Sequence, residues 1–230
     1  MSVAVITGAS RGLGRATAHA LAARGWTLVV DARSADDLAA LRRELDASTV
    51  VVVPGDVSDA AHRHALARAV EEQGGLDLLM NNASLLGPSP QPALADYPLD
   101  VLRRVYEVNV LAPLALVQLL LPHLDKNAGA LVDVSSDAAV DAYAGWGGYG
   151  SAKAALDQLT AVLGAEHPGL GVYAFDPGDM RTALHQEAFP GEDISDRPEP
   201  ETVVPALLRL LDERPASGRY RAHDLAEVTA

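Results

Sequence analysis

The chain has 230 residues, a net charge of −13, 49% hydrophobic residues and only 4% aromatic ones. That length suits one large core, whereas the charge excludes the basic footprint of a nucleic-acid binder and disfavours an anionic membrane surface. There is no cysteine, so neither a disulfide framework nor thiolate chemistry is available.

Val3-Ala4-Val5-Ile6 is a short apolar run suited to a buried parallel strand, and strands are expected near residues 3–7, 27–31, 49–53, 76–80, 130–135, 170–175 and 218–222. Helices are expected between them, near 12–23, 35–46, 59–73, 99–124, 148–165 and 201–213, with Ser58 as N-cap of the third. This alternation predicts an α/β fold: a doubly wound parallel sheet of about seven strands, right-handed crossovers and helices on both faces. No internal repeat or domain boundary interrupts it, so residues 1–230 read as a single domain. The stretch Gly87-Pro88-Ser89-Pro90-Gln91-Pro92 reads as a loop, as does Phe189 to Pro200. The start of the chain lacks the basic, apolar and cleavage segments of a secretory leader. The apolar run Val110 to Leu121 contains Pro113 and Gln118 and is too short to cross a bilayer. Together these suggest a cytoplasmic protein.

Between the first strand and the first helix lies Thr7-Gly8-Ala9-Ser10-Arg11-Gly12-Leu13-Gly14. Strand, glycine turn and helix in that order form a dinucleotide site, with a Gly-x-x-x-Gly-x-Gly spacing here. The glycines admit a tight turn and close approach to a cofactor. The helix amino terminus offers unpaired N–H groups and partial positive charge to a pyrophosphate. A plain structural turn is the alternative, weakened by the position at the head of a strand-helix series.

Tyr149 and Lys153 stand four residues apart in an expected helix, and so on one face. A free tyrosine titrates near ~10 and is a poor base at neutral pH. A neighbouring ammonium favours phenolate, and bringing the value to ~7 needs about 4 kcal/mol of differential interaction. A tyrosine so tuned exchanges protons with an alcohol or carbonyl. The spacing by itself is common on protein surfaces, and it gains meaning only beside the glycine loop.

Together these segments resemble the short-chain dehydrogenase/reductase family, over nearly the whole chain. Asp56 in Gly55-Asp56-Val57 matches the family's adenine-contacting acid, and Asn81-Asn82-Ala83 follows the fourth strand. Asn109 matches the family's helix-four asparagine. Ser136 lies thirteen residues before Tyr149, the usual offset of the catalytic serine, and Pro177-Gly178 with Thr182 matches Pro-Gly-x-x-x-Thr. The resemblance implies a Rossmann-like NAD(P)-binding domain that moves hydride between nicotinamide and a carbonyl or secondary alcohol. It implies Asn109, Ser136, Tyr149 and Lys153 as the catalytic set. It implies Gly8, Ser10, Arg11, Gly12, Leu13, Gly14, Arg33, Asp56, Val57, Asn82, Ala83, Pro177, Gly178 and Thr182 around the cofactor, with Tyr149 and Lys153 touching it too. In these roles Tyr149 is the general acid/base, Lys153 lowers its pKa and bonds the ribose, Ser136 holds the reacting oxygen, and Asn109 holds a water leading to solvent. Asn109 bonding only backbone is the alternative. Residues 185–200 fall where relatives often close over substrate, though a plain surface loop fits almost as well.

An acid at the end of the second strand binds ribose hydroxyls and selects NAD; a cation accepts the 2′-phosphate of NADP. Asp31 points toward NAD. Counting from Gly25, however, Ala32 takes the place of the NAD-selecting acid and Arg33 that of the NADP-selecting arginine. Arg11 adds a second guanidinium suited to a phosphate. NADP(H) is therefore expected over NAD(H), with solvated surface arginines as the alternative.

The chain departs from the family at Ser84, where glycine is usual, and in a short carboxyl end from Ser217 to Leu225. Asp137 and Asp179 would make the pocket rim acidic if both face it. Trp146 would either stack on substrate or pack on a partner helix, and His185 reads as structural. The seven histidines show no metal-ligand spacing. Apolar stripes on helices 99–124 and 148–165 favour a homodimer, the alternative being burial within one chain. The expected partner is a small carbonyl or alcohol compound, with no nucleic acid and no membrane. The rival reading is a dinucleotide-binding sensor without catalysis, against which stands the presence of Ser136, Tyr149 and Lys153.

Overall fold

The computed structural model describes residues 2–45 and 49–226. Seven parallel strands form one sheet in the order β3-β2-β1-β4-β5-β6-β7. They are β1 Val3–Ile6, β2 Thr27–Ala32, β3 Val50–Pro54, β4 Leu78–Asn81, β5 Ala130–Val134, β6 Gly171–Asp176 and β7 Gly218–Arg221. Every residue of β1, β2, β4, β5 and β6 is buried, as apolar parallel strands covered on both faces must be. The strands match the expected seven to within two residues at each end.

Side-chain alternation divides the core in two. Ala4, Ile6, Leu28 and Val30 face a layer containing Leu13, Leu21, Leu38 and Leu41. These belong to helices α1 Gly12–Ala23 and α2 Ala35–Glu44. Leu207 and Leu210 of α8 Val204–Glu213 join the same layer. Val3, Val5 and Val29 face Leu66 and Val70 of α3 Ala60–Gln73 and Leu116, Leu120 and Leu124 of α5 Ala112–Asn127. Helices α4 Leu99–Tyr106, α6 Gly147–Glu166, α7 Ala183–Ala188 and α9 Ala222–Ala226 complete the order.

Several boundaries differ from expectation. Asp59, not Ser58, caps α3: its side chain accepts from Ala61 N at 2.8 Å. The Ser58 hydroxyl instead donates to Asp56 at 2.7 Å and accepts from Arg104 at 2.6 Å. The helix expected over 99–124 is two α-helices joined by a π turn, Glu107–Leu111, and it continues to Asn127. That whole 29-residue stretch is long and apolar enough to cross a bilayer, unlike the shorter run read from sequence, but half of its most apolar window is buried inside the fold. The helix expected from 201 starts at Val204, after a 3₁₀ turn. The expected lid, residues 185–200, begins inside a helix, Ala183–Ala188, capped by Thr182.

Strand order reverses between β1 and β4, and a crevice beyond the carboxyl ends of the strands at such a switch point is the usual ligand position in these sheets. The glycine loop after β1 and the Asn82-Ala83 segment after β4 meet there.

Candidate active site

A cleft of about 460 Å³ opens over the carboxyl ends of the strands. It is lined by Gly8, Ser10, Arg11, Gly12, Leu13, Arg33, Asp56, Val57, Asn82, Ala83, Ser136, Tyr149, Lys153, Pro177, Gly178 and Thr182. Two residues of the expected set lie outside this lining. Gly14 packs behind it, where a Cβ would stand 2.7 Å from Gly8 O and 2.5 Å from Asn82 Nδ2. Asn109 is buried behind Leu85, whose N–H and C=O it holds, both at 2.8 Å. The asparagine therefore bonds main chain, but across to the loop after β4 and not within its own helix.

The glycine loop is locked to β4. Thr7 Oγ1 accepts from Asn82 N and Ala83 N at 2.9 and 3.0 Å, and Asn82 Nδ2 donates to Thr7 O at 2.8 Å. Gly8 has φ +65°, and a Cβ there would sit 2.9 Å from Ala83 Cα. Helix α1 starts with no side-chain cap and no acid in its first turn. Its amino-terminal N–H groups and partial positive charge are thus left to an anion, which fits the pyrophosphate of a dinucleotide. Arg11 and Arg33 border the same end and form no ion pair with another described residue.

Asp31, the acid at the end of β2, also borders the cleft but is engaged from within the fold. It is 1% exposed, its carboxylate accepting from Gly8 N at 2.7 Å and from His62 Nε2 at 2.9 Å. Burial pushes its pKa up against those two bonds. It braces the glycine loop from below. Sequence reasoning missed this pairing with His62, 31 residues away, and also missed Arg104. The Arg104 guanidinium bonds Asp56 Oδ2 at 2.6 Å. Partial burial would raise the Asp56 pKa, but hydrogen bonds from Ser58 and the charge of Arg104 hold it below the ordinary carboxylate value. No local pattern announces either partner.

At the other end, β5 delivers Ser136 and α6 delivers Tyr149 and Lys153. Ser136 Oγ donates to Asp137 at 2.9 Å and accepts from Ala138 N at 3.2 Å. Its neighbour Ser135 is 2% exposed. Lys153 Nζ donates to Val134 O at 2.6 Å and lies 5.6 Å from the centre of the Tyr149 ring. The expected lowering of the tyrosine pKa is not what this arrangement produces. Burial pushes the Tyr149 hydroxyl up to about 12, opposed by a hydrogen bond from Ser84 and reinforced by Asp137 and Asp176. Burial also brings Lys153 down to about 8, opposed by the carboxylates of Asp157 and Asp133. The ammonium is tied to a carbonyl beside the ring, and desolvation of the buried phenol dominates its titration.

Beneath Lys153, Asp133 is fully buried, accepting from Asn81 and Thr160, each at 2.7 Å, and burial raises its pKa to about 6. A raised folded-state value means the native state binds the proton more tightly, so this group destabilises the fold progressively as pH rises from about 4 to 6. Asp133→Asn should therefore stabilise the protein by about 1–3 kcal/mol at pH 8 and hardly at pH 4. Urea unfolding at the two pH values measures it; an equal effect at both would assign the change to packing.

A family model described as short chain dehydrogenase matches residues 2–193. The sepiapterin reductase of Mus musculus is 36% identical over 202 residues, covering 81% of this chain and 77% of that one. A short chain dehydrogenase of Salmonella enterica serovar Typhi superposes with a TM-score of 0.89 at 29% identity, over 96% of this chain and 95% of that one. An alcohol dehydrogenase of Thermococcus sibiricus, complexed with 5-hydroxy-NADP, gives a TM-score of 0.86 at 29% identity over the same shares, 96% and 95%. With the glycine loop, the sheet order and the Tyr149–Lys153 pair in one cleft, the chain belongs to the short-chain dehydrogenase/reductase family.

Proposed function

We propose that the protein is an NADP(H)-dependent oxidoreductase interconverting a carbonyl compound and a secondary alcohol, with residues 1–230 acting as one NAD(P)-binding domain. The observation that carries this reading is one continuous cleft joining the glycine loop to Tyr149, Lys153 and Ser136. A nicotinamide held there supplies or accepts the hydride, which no side chain can do.

Gly8, Gly12 and the start of α1 hold the pyrophosphate. Asp56 and Val57 border the adenine, and Asn82, Ala83, Pro177, Gly178 and Thr182 border the nicotinamide half. Tyr149, protonated at neutral pH, donates its proton to the carbonyl oxygen in reduction. Ser136 Oγ turns from Asp137 to the same oxygen and stabilises the charge developing there. Lys153 holds the ribose and returns a proton to the phenol. Asn109 positions the Ser84–Leu85 segment and borders the proton route from Lys153. Residues 185–200 close over substrate; Ser89 already ties this segment to the 87–92 loop by donating to Glu187 O at 2.6 Å.

The NADP(H) preference rests on Arg11 and Arg33, which form no ion pair with another described residue at the adenosine end, and on Asp31 being occupied by Gly8 and His62. An alcohol dehydrogenase of this fold complexed with 5-hydroxy-NADP supports it. Arg33→Ser should weaken NADPH binding about 10–100-fold, as expected for the loss of a charge-assisted bond, and change NADH binding less than about threefold. Fluorescence titration with both cofactors decides this, and an equal loss for both would remove Arg33 from 2′-phosphate recognition. Turnover of carbonyl compounds with NADPH tests the function as a whole; tight binding without turnover would favour the sensor.

A further inference from the structure

Charge is segregated along the cleft. Arg11, Arg33 and Arg104 stand at the glycine-loop end with Asp31 and Asp56, whereas Asp137, Asp176 and Asp179 line the Tyr149 end, where Lys153 is the lining ammonium. The three acids are not equally neutralised. Asp176 is paired with Arg219 at 2.8 Å. Asp137 receives hydrogen bonds from the Ser136 and Tyr143 hydroxyls and from Ala138 N, at 2.9, 3.0 and 2.8 Å, and forms no ion pair with a described residue. Asp179 has His185 and Arg197 at 3.7 Å each, and Arg197 is shared with Asp196 at 3.4 Å. The substrate end therefore keeps excess negative charge at its rim, where Asp137 and Asp179 are both exposed and their field on a substrate weakens with salt.

The wall facing these acids is aromatic. Trp146 lines the cleft and packs edge-on to Tyr149, with ring centres 6.0 Å apart and planes at 73°. Phe189 backs it at 5.8 Å and Tyr143 at 6.4 Å. Leu184 and Ala188 of α7 close the same wall. Offset or edge-on contact with such a cluster favours a ring over an aliphatic chain.

We propose that the substrate end selects aromatic carbonyl compounds, or the matching alcohols, that carry no negative charge, and that Asp137, Asp179 and Trp146 set this choice. It rests on the oxidoreductase reading and narrows it. A carboxylate or phosphate on the substrate meets two carboxylates, while Lys153 is buried and tied to Val134 O and Arg197 is shared between Asp179 and Asp196, so keto acids, sugar phosphates and nucleotide thioesters are rejected. An ammonium or neutral ring is accepted.

The test uses 4-(aminomethyl)acetophenone and 4-(carboxymethyl)acetophenone, in which a methylene insulates the carbonyl from the charge, together with acetophenone and cyclohexyl methyl ketone. With NADPH, the ammonium ketone should exceed the carboxylate ketone in kcat/KM by about tenfold or more, with the ratio shrinking as salt rises. Asp179→Asn and Asp137→Asn should each narrow that ratio at least about threefold, while Trp146→Leu should raise KM for acetophenone and leave cyclohexyl methyl ketone little changed. Binding supplies a second readout: 4-methylbenzylammonium should quench tryptophan fluorescence at lower concentration than 4-methylphenylacetate. Turnover indifferent to ring and charge overturns this inference alone. No turnover of any of the four ketones, with NADPH shown to bind, overturns the oxidoreductase reading and this inference with it.

Discussion

Tyr149→Phe should lower kcat by about 10²–10⁴-fold, the range of a lost general acid/base, while Kd for NADPH moves less than about threefold. The substitution removes one oxygen and keeps the ring that packs against Trp146 at 6.0 Å, so the wall of the cleft survives. The glycine loop, Arg11 and Arg33 lie at the far end of the cleft and are untouched. The loss should fall on the chemical step and not on KM. With the hydroxyl pushed up to about 12, Tyr149 holds its proton throughout the physiological range and is poised as a donor. Single-turnover reduction of acetophenone by bound NADPH, followed at 340 nm, measures the effect. Residual turnover within tenfold of wild type would take the proton-transfer role away from Tyr149.

Gly14→Ala should weaken NADPH binding more than about tenfold and lower Tm by several degrees, in line with about 1–3 kcal/mol for forcing a methyl into packed surroundings. The added Cβ would stand 2.7 Å from Gly8 O and 2.5 Å from Asn82 Nδ2. The first contact is main chain and cannot rotate aside. The second belongs to the side chain that locks the glycine loop by bonding Thr7 O. Helix α1 must therefore lift from the sheet, carrying its open amino terminus away from the anion it would hold. Gly25→Ala is the control. Nothing lies within 4 Å of a Cβ there, but its φ of +78° penalises any side chain. It should cost stability of order 1 kcal/mol and leave NADPH affinity unchanged. If Gly14→Ala lowered Tm yet bound NADPH normally, the glycine would be needed for folding alone.

Much of the candidate site is readable along the chain because its parts are local. A glycine loop between an apolar strand and an alanine-rich helix declares itself within about a dozen residues. Tyr149 and Lys153 declare themselves by helical spacing. What escapes is everything that depends on residues far apart. Asp31 looks like a ribose ligand until His62 and Gly8 N are seen to occupy it. Asp56 looks free until Arg104 reaches it across 48 positions. Ser58 and Asp59 are both competent caps, and the choice between them follows from Ser58 being engaged by Asp56 and Arg104. The π turn at Glu107–Leu111 coincides with Asn109 clasping Leu85, a contact no periodicity announces.

The amino-acid sequence alone determined the order of strands and helices, the place of the glycine loop and the pairing of Tyr149 with Lys153 on one helix face. Each is written in short-range spacing, because hydrophobic period, glycine torsion and helical repeat act over a few residues. Tertiary structure alone decided which charges are spent and which are available. Burial raises Tyr149, Asp31 and Asp133 and lowers Lys153. Folding also sets Arg11 and Arg33, which pair with no described residue, at one end of the cleft and Asp137 and Asp179 at the other. Desolvation and Coulomb forces depend on distance through space, and a linear chain carries no measure of that distance until it folds.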